Sequence, residues 1–458
     1  MASYDYDVIV IGSGAGGIVC AKLLAKAGKS IAVVESEKLG GHNLHHGALP
    51  RAAMLESANL YYTARNSDRF GLRGSGVGFN YPRINAWKNL AIKQTGVNES
   101  EKSLNTAGIS VIRGAAHFID HETITVGRAR FKAKKFIVAS GGTPAKLHVP
   151  GLLSEDFLDS KEALELTRPP KTLAIIGGGK VGVELATIFG SFGSKVCLIE
   201  KSSHLLSSED PLAGKSISAN LNKLYGVKVI EKATLQSGAR RGRKKQLILK
   251  VAGKLHALVV DEAIMAVGKD PNTDIGLENA RIEYDKNGIK TNYHLLTTNK
   301  NIYAIGDVVS GHRSAHSSIY QARLAAHNLL KAKRQITLDY VAMPRVVEGL
   351  SEVASVGLSA SQLSEEKIKT KSAITDINLV AKSSISLPKN GFVKLTADSK
   401  TGIIVSACIV APHASEMISE ITLAIKNKLK ASDLAQVIHP LPTWSEAIRV
   451  TATKLANS

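Results

Sequence analysis

The chain has 458 residues with a formal net charge of +20, is 44% hydrophobic, and contains 39 glycines and 3 cysteines. That length exceeds one compact core and predicts roughly two to four domains. No run is apolar for long enough to span a bilayer, and three cysteines spaced neither as a redox pair nor as a zinc site exclude a disulfide-stapled or zinc-ribbon scaffold.

Asp5 to Gly12 reads as a short apolar strand with a polar start, not as an export signal, so no signal peptide is expected. It runs into Gly12-Ser13-Gly14-Ala15-Gly16-Gly17, a helical pattern through Ile18, Ala21 and Leu24, and a second strand, Ser30 to Val34, ending at Glu35. In a dinucleotide-binding turn Gly12 permits the tight bend, Gly14 lets the backbone approach a pyrophosphate, and Gly17 lets helix and strand pack closely. The helix N-terminus supplies unpaired N–H groups to phosphate, and Glu35 accepts from ribose hydroxyls. A lone G-x-G-x-x-G is weak; strand, turn, helix, strand and acid in order are specific.

The same unit recurs: a strand from Lys171 to Ile176, then Gly177-Gly178-Gly179-Lys180-Val181-Gly182, a helix through Leu185 and Ile188, and a strand from Lys195 to Ile199 ending at Glu200. Here Gly177, Gly179 and Gly182 take the three roles, and Glu200 favours a free 2′-hydroxyl, hence NADH over NADPH. Lys201 beside it tempers that preference.

With these two turns, Phe136-Ile-Val-Ala-Ser-Gly-Gly-Thr-Pro144, Val267-Gly268-Lys269-Asp270-Pro271-Asn272-Thr273 and Asn301-Ile-Tyr-Ala-Ile-Gly-Asp307-Val308 stand in register along the chain. Together they resemble the class I pyridine nucleotide–disulfide oxidoreductases, the family of dihydrolipoamide dehydrogenase, glutathione reductase and mercuric reductase. The segment from about Met343 resembles that family's dimerisation domain. The resemblance implies an α/β fold with two Rossmann-like dinucleotide-binding domains plus a C-terminal α+β dimerisation domain. It divides the chain into an FAD domain (1–148), an NAD domain (149–266), a returning FAD segment (267–340) and an interface domain (341–458) that forms a homodimer. It assigns Gly12, Gly14, Gly17, Glu35, Gly40, Gly41, Ala116, Ser140, Gly141, Asp307, Ala315 and His316 to FAD, with Asp307 on the ribityl chain. It assigns Gly177, Gly179, Gly182, Glu200 and Gly268 to NADH, with Glu184 and Lys180 beside the nicotinamide. For Lys180 an i,i+4 pair with Glu184 is an equal alternative.

The sequence departs from the family at its chemical centre. The family's GGTCLNVGCIPSK aligns with residues 40–52, where Asn43 and Ala48 replace both cysteines and Ala52 replaces the lysine. In the C-terminal H-x-H-P-T-x-S-E motif, the acid/base histidine becomes Leu441, leaving His439 and, as its orienting carboxylate, Glu446. Without thiols the relay from NADH through flavin to a disulfide has no last member. The expectation is an FAD-dependent oxidoreductase passing electrons from NADH directly to a quinone, dioxygen, a protein or a small electrophile, with Lys180, Glu184, His439 and Glu446 as the catalytic set.

His42, His45 and His46 cluster where the cysteine motif stood; neutral imidazoles there suit copper, zinc or mercury, proton donation, or a polar helix start, and without a fourth ligand or supporting shell no metal site is assigned to them. The basic run Arg240, Arg241, Arg243, Lys244 and Lys245 reads as a solvated hairpin, without aromatic interleaving or a nucleic-acid module. The charge leaves a second reading, a non-catalytic or regulatory flavoprotein docking on an acidic partner or an anionic membrane, and overall similarity leaves a third, a divergent dihydrolipoyl dehydrogenase in name only, whose lipoamide turnover would need thiols that are not there. A cytoplasmic location, with peripheral contact at the inner face of a membrane as an option, is the expectation.

Overall fold

In the computed structural model, which describes residues 4–74, 76–387 and 390–458, the chain forms two compact units. The first comprises the segment ending at Ala53, with Ala86–Ala145 and Gly268–Leu338; the second comprises Met54–Asn85, Lys146–Val267 and Asp339–Ser458.

The first unit is built on a seven-stranded sheet. Strands Ile109–Arg113, Ile31–Glu35, Tyr6–Ile11 and Ala129–Val138 lie side by side in parallel, in that order. The ten-residue strand Ala129–Val138 serves two neighbours: its start pairs antiparallel with Thr123–Val126, its end parallel with Ile302–Ala304. Parallel strands covered on both faces need unbroken apolar runs, which Val8–Ile11, Ile31–Val34 and Phe136–Val138 supply, all of them buried. The strand Tyr6–Ile11 has its successor on one side and Ala129–Val138 on the other. Its C-terminal end is therefore a point where the winding reverses, the place an open α/β sheet offers to a ligand.

The second unit repeats the theme on a four-stranded parallel sheet, ordered Lys228–Ile230, Lys195–Ile199, Thr172–Ile176, Glu262–Met265, with the helix Lys180–Ser191 following the central strand. A three-stranded antiparallel meander, Ala233–Arg241, Lys244–Val251 and Lys254–Val260, is inserted before its last strand. The C-terminal part is a five-stranded antiparallel sheet whose buried residues, Val356, Leu395 and Ile409 among them, form one core with the helices Ala414–Lys426 and Glu446–Ala456. Among the described residues no helix is long and apolar enough to cross a membrane.

Residues 54–85, read from sequence as part of the first FAD segment, belong to the second unit. The physical reason is an aromatic cluster. Phe192, at the end of the helix Lys180–Ser191, has ring-centroid distances of 6.1 Å to Tyr61, 5.1 Å to Phe79 and 5.6 Å to Tyr81. Met54, Leu55 and Ala58 join the same buried cluster as Leu185 and Ile188. Phe192→Ala should therefore cost about 3–5 kcal/mol of stability, read by denaturant unfolding, and should expose residues 54–85 to limited proteolysis before the first unit.

Candidate dinucleotide and redox site

The two glycine turns are local copies of each other. Gly12 (φ +102°) and Gly177 (φ +109°) adopt a backbone that only glycine takes at little cost. A Cβ on Gly17 would overlap the Gly12 carbonyl oxygen, and one on Gly182 would overlap that of Gly177. The middle glycines differ: a Cβ on Gly14 or Gly179 would meet nothing within 4 Å. Each middle glycine is the N-cap of its helix and carries no side-chain cap, so the first N–H groups stand free for an anion beside open space. These cradles fit the pyrophosphates of FAD and of a nicotinamide dinucleotide.

The acids are held by matching bonds. Glu35 accepts from the Ser13 N–H (2.9 Å), the Ser13 hydroxyl (2.5 Å) and the Glu37 N–H (2.8 Å). Glu200 accepts from the Gly178 N–H (2.7 Å) and the Ser202 N–H (2.6 Å). A carboxylate has about four acceptor positions, so both keep capacity for ribose hydroxyls while fixed in orientation.

Further elements of the first unit converge on its turn. A Cβ on Gly41 (φ +61°) would lie 2.8 Å from the Gly14 Cα, and the Gly40 N–H donates to the Ser13 carbonyl at 3.2 Å. Ser140 and Asn272 exchange hydrogen bonds of 2.8 and 2.9 Å, fastening the backbone before Gly141 (φ +75°). The helix Ala315–Leu330, which begins with Ala315 and His316, is capped by the Ser314 hydroxyl, which accepts from the Ser317 N–H at 3.1 Å. A Cβ on Gly16 would sit 2.9 Å from the Ser318 carbonyl oxygen, so the starts of two helices lie together and their positive ends add. Ala116 opens the strand Ala116–Phe118, opposite Val126.

Several partners were not legible beforehand. Asp307 forms an ion pair with Lys269 at 2.8 Å, and Arg313 donates to the Lys269 carbonyl oxygen at 2.6 Å. The Gln321 side chain accepts from the Gly306 N–H at 2.5 Å. The only advance signal for Lys269 was its place beside Gly268 (φ +118°) in the motif before Asn272.

In the second unit Glu184 is 1% exposed; its Oε1 lies 3.7 Å from Lys180 Nζ and accepts from the Glu348 N–H at 3.2 Å. The i,i+4 pairing of Lys180 is thus present. The pairing expected for His439 is corrected: its Nε2 contacts Glu420 Oε2 at 3.1 Å, and its Nδ1 lies 3.0 Å from the Val437 carbonyl oxygen. Glu446 instead opens its own helix and pairs with Arg449 one turn on, at 3.5 Å. Glu420 sits on the helix Ala414–Lys426, a segment that the motif in the sequence does not include.

The histidines occupy the short helix Gly41–His45 and its end. His45 Nε2 donates to the Leu39 carbonyl at 2.8 Å, and the His46 ring lies 6.2 Å from His42 and 6.0 Å from His45. Among the described residues no three His, Cys, Asp or Glu side chains are grouped to hold a metal ion. Beside His45 a crevice of about 370 Å³ reaches Glu99, whose Oε2 has no hydrogen-bond partner and whose carboxyl is pushed up by burial. Asn43 lies on that short helix and Ala48 starts the next, Ala48–Arg65. All three cysteines are free and buried, on the helix Ala15–Lys26 (Cys20) and the strands Lys195–Ile199 (Cys197) and Ile404–Ala411 (Cys408). Burial pushes the Cys20 and Cys408 thiols up to about 12 and that of Cys197 up to about 11.

Comparison with known proteins agrees with this geometry. The chain matches the pyridine nucleotide-disulphide oxidoreductase family over residues 6–322 and that family's dimerisation domain over residues 343–452. It is 32% identical to dihydrolipoyl dehydrogenase of Geobacillus stearothermophilus, over 99% of this chain and 96% of that protein. It is 31% identical to mercuric reductase of Staphylococcus aureus, over 98% of this chain and 82% of that protein. Among solved structures, the Cu(II) complex of the HOCl-induced flavoprotein disulfide reductase RclA from Escherichia coli superposes with a TM-score of 0.87 at 25% identity, covering 99% of this chain and 100% of that one. The chain therefore belongs to the FAD-dependent pyridine nucleotide-disulphide oxidoreductases.

The cradles separate binding from folding. Gly14→Val should leave a folded protein that has lost its flavin, whereas Gly17→Ala should lower stability as well; flavin absorbance after gel filtration and thermal melting distinguish the two. Native protein should leave a thiol reagent unreacted until unfolded, because thiols buried this deeply carry little thiolate near neutrality.

Proposed function

We propose that this protein is an NADH-dependent flavoenzyme whose electrons leave FAD directly for an acceptor other than a disulfide. FAD, when bound, supplies hydride acceptance and one- or two-electron release. The residues of the chain bind and orient. The Gly14 cradle and the helix beginning at Ala15 take the pyrophosphate of FAD, Glu35 its ribose, and Asp307, steadied by Lys269, its ribityl hydroxyls. The Gly179 cradle and Glu200 do the same for NADH, the uncomplicated 2′-hydroxyl being what a fixed carboxylate accepts from. Glu184, held by the Glu348 N–H, is the positioning carboxylate for nicotinamide, with Lys180 as its counter-ion. In this reading His439 is oriented by Glu420, and His439 and Glu446 shape the interface side of the acceptor site in a homodimer.

What supports the proposal is Asn43 and Ala48 at the two positions where the resemblance sets the family's cysteines, together with three cysteines that are all free and buried on other elements. Neither an amide nor a methyl group can store a pair of electrons and hand it on. Quinones and dioxygen need no such relay. Cu(II) joins the candidates because the E. coli relative is described as a complex with it.

The test is anaerobic titration of the purified holoprotein with NADH, followed by acceptors. One NADH per flavin should bleach the oxidised spectrum without a thiolate-to-flavin charge-transfer band, and a quinone, dioxygen or Cu(II) should restore it. Sustained turnover of lipoamide would overturn the reading.

A further inference from the structure

The three-stranded meander presents a face that the redox chemistry does not use. Between residues 233 and 260 there are seven Lys and Arg, no Asp or Glu, and no Phe, Trp or Tyr. One side of the meander is core: Ala233, Leu247, Leu249 and Val260 are at most 2% exposed and pack with Ile176 and Ile199. Residues directly opposite across strands share a side, so the register settles what the other side carries. Lys244 faces Arg241; Gln246 faces Ala239 and Val259; Ile248 faces Ser237 and Ala257; Lys250 faces Thr234 and Leu255. The outer face is thus cationic at one end, apolar across its middle, and cationic again at the other, over roughly 20 Å of strand. Leu255 and Val259 are 66% and 47% exposed there. Arg243 extends one cationic end from the adjoining turn, and Lys254, exposed at the start of its strand opposite Val251, adds charge at the edge of the other.

Three of the seven cations are neutralised locally: Arg240 by Asp156, Lys244 by Asp261 at 3.7 Å, and Lys245 by Glu262 at 2.5 Å. Arg241 hydrogen-bonds only the neutral Gln246, at 2.8 Å. Among the described residues Arg241, Arg243, Lys250 and Lys254 have no carboxylate within ion-pair distance, so unneutralised positive charge lies on the outer face at Arg241 and Lys250 and at its margins at Arg243 and Lys254, around exposed aliphatic side chains. A specific protein interface is usually anchored by Trp or Tyr in shaped pockets, and this stretch contains neither. A surface that asks only for area and negative charge is the better match, each basic residue near an anionic leaflet contributing on its own account.

We propose that the outer face of residues 233–260 is a peripheral docking surface for an anionic lipid bilayer. The inference stands independently of the electron acceptor. It concerns a reversible, electrostatic contact, with Ile248, Leu255 and Val259 reaching the headgroup region and no segment crossing the bilayer.

The test is co-sedimentation of the full-length holoprotein with sucrose-loaded vesicles of phosphatidylcholine, with and without phosphatidylglycerol. Binding is expected to the mixed vesicles at low salt only, and to be lost in high salt. The variant Arg241→Gln/Arg243→Gln/Lys250→Gln/Lys254→Gln should weaken it by about a hundred-fold or more, with flavin content and melting temperature unchanged. Leu255→Ser/Val259→Ser should weaken it several-fold without changing its salt dependence. A control removing four exposed lysines of the other unit, Lys26→Gln/Lys29→Gln/Lys331→Gln/Lys333→Gln, should bind as the parent does. Equal losses in the control would overturn the proposal in favour of bulk charge alone. So would failure to bind the mixed vesicles, and retention on immobilised polyglutamate without vesicle binding would assign the face to an acidic protein.

Discussion

The contact on which both nucleotide sites depend is the approach of a helix to the carbonyl of the turn before it: Gly17 against Gly12, and Gly182 against Gly177. No side chain fits between them. Because the helix is drawn this close, its first N–H groups end beside the uncapped middle glycine, and open space is left where a phosphate fits. The carboxylate at the end of the next strand then reaches back to the N–H of the residue after the first glycine, Ser13 or Gly178. That bond fixes turn, helix and acid as one rigid piece, so the ligand finds its donors and acceptors already oriented. Pre-organisation of this kind lowers the ordering cost of binding.

This is why so much of the site was legible in the sequence. Every member of that rigid piece lies within a short stretch of chain and is constrained by sterics that permit only glycine, or by a strand end that requires an acid. Long-range pairings carry no such signature. Lys269 meets Asp307 across 38 residues, and Glu420 meets His439 across 19, because strands and helices between them bring them together. The motif around His439 contains a nearer acid, Glu446, and a reading by motif selects it; helix geometry gives Glu446 to Arg449 instead. Residues 54–85 give a similar case. Their aromatic side chains show that the segment is amphipathic, but not that Phe192 is the ring they pack against.

In the proposed function Asn43, Ala48 and Leu441, where the resemblance sets the family's two cysteines and its histidine, form one chemical argument. A histidine acid/base tuned to a thiol has a purpose only while the thiol exists. In that reading the loss of all three groups together fits a change of electron acceptor, whereas an isolated loss would simply damage a thiol-dependent site. The rest of the scaffold retains its demanding features: positive-φ glycines at Gly12 and Gly177, two fixed carboxylates, and a buried Glu184 with both a backbone donor and a cation beside it. A buried carboxylate is costly to keep without such partners.

The three remaining cysteines sharpen the point. A thiol is useful in electron transfer as thiolate, and burial in apolar surroundings suppresses that form. Cys20 lies on the buried side of the first glycine helix among Val10, Ile18 and Leu24, and Cys197 on a strand among Ile176 and Met265; Cys408 lies on a strand of the C-terminal sheet. Each fills a small volume in a well-packed core, the ordinary use of cysteine as a compact apolar residue. In the proposed chemistry, therefore, the sulfur in the chain is structural, and the flavin faces its acceptor across side chains that cannot themselves be reduced.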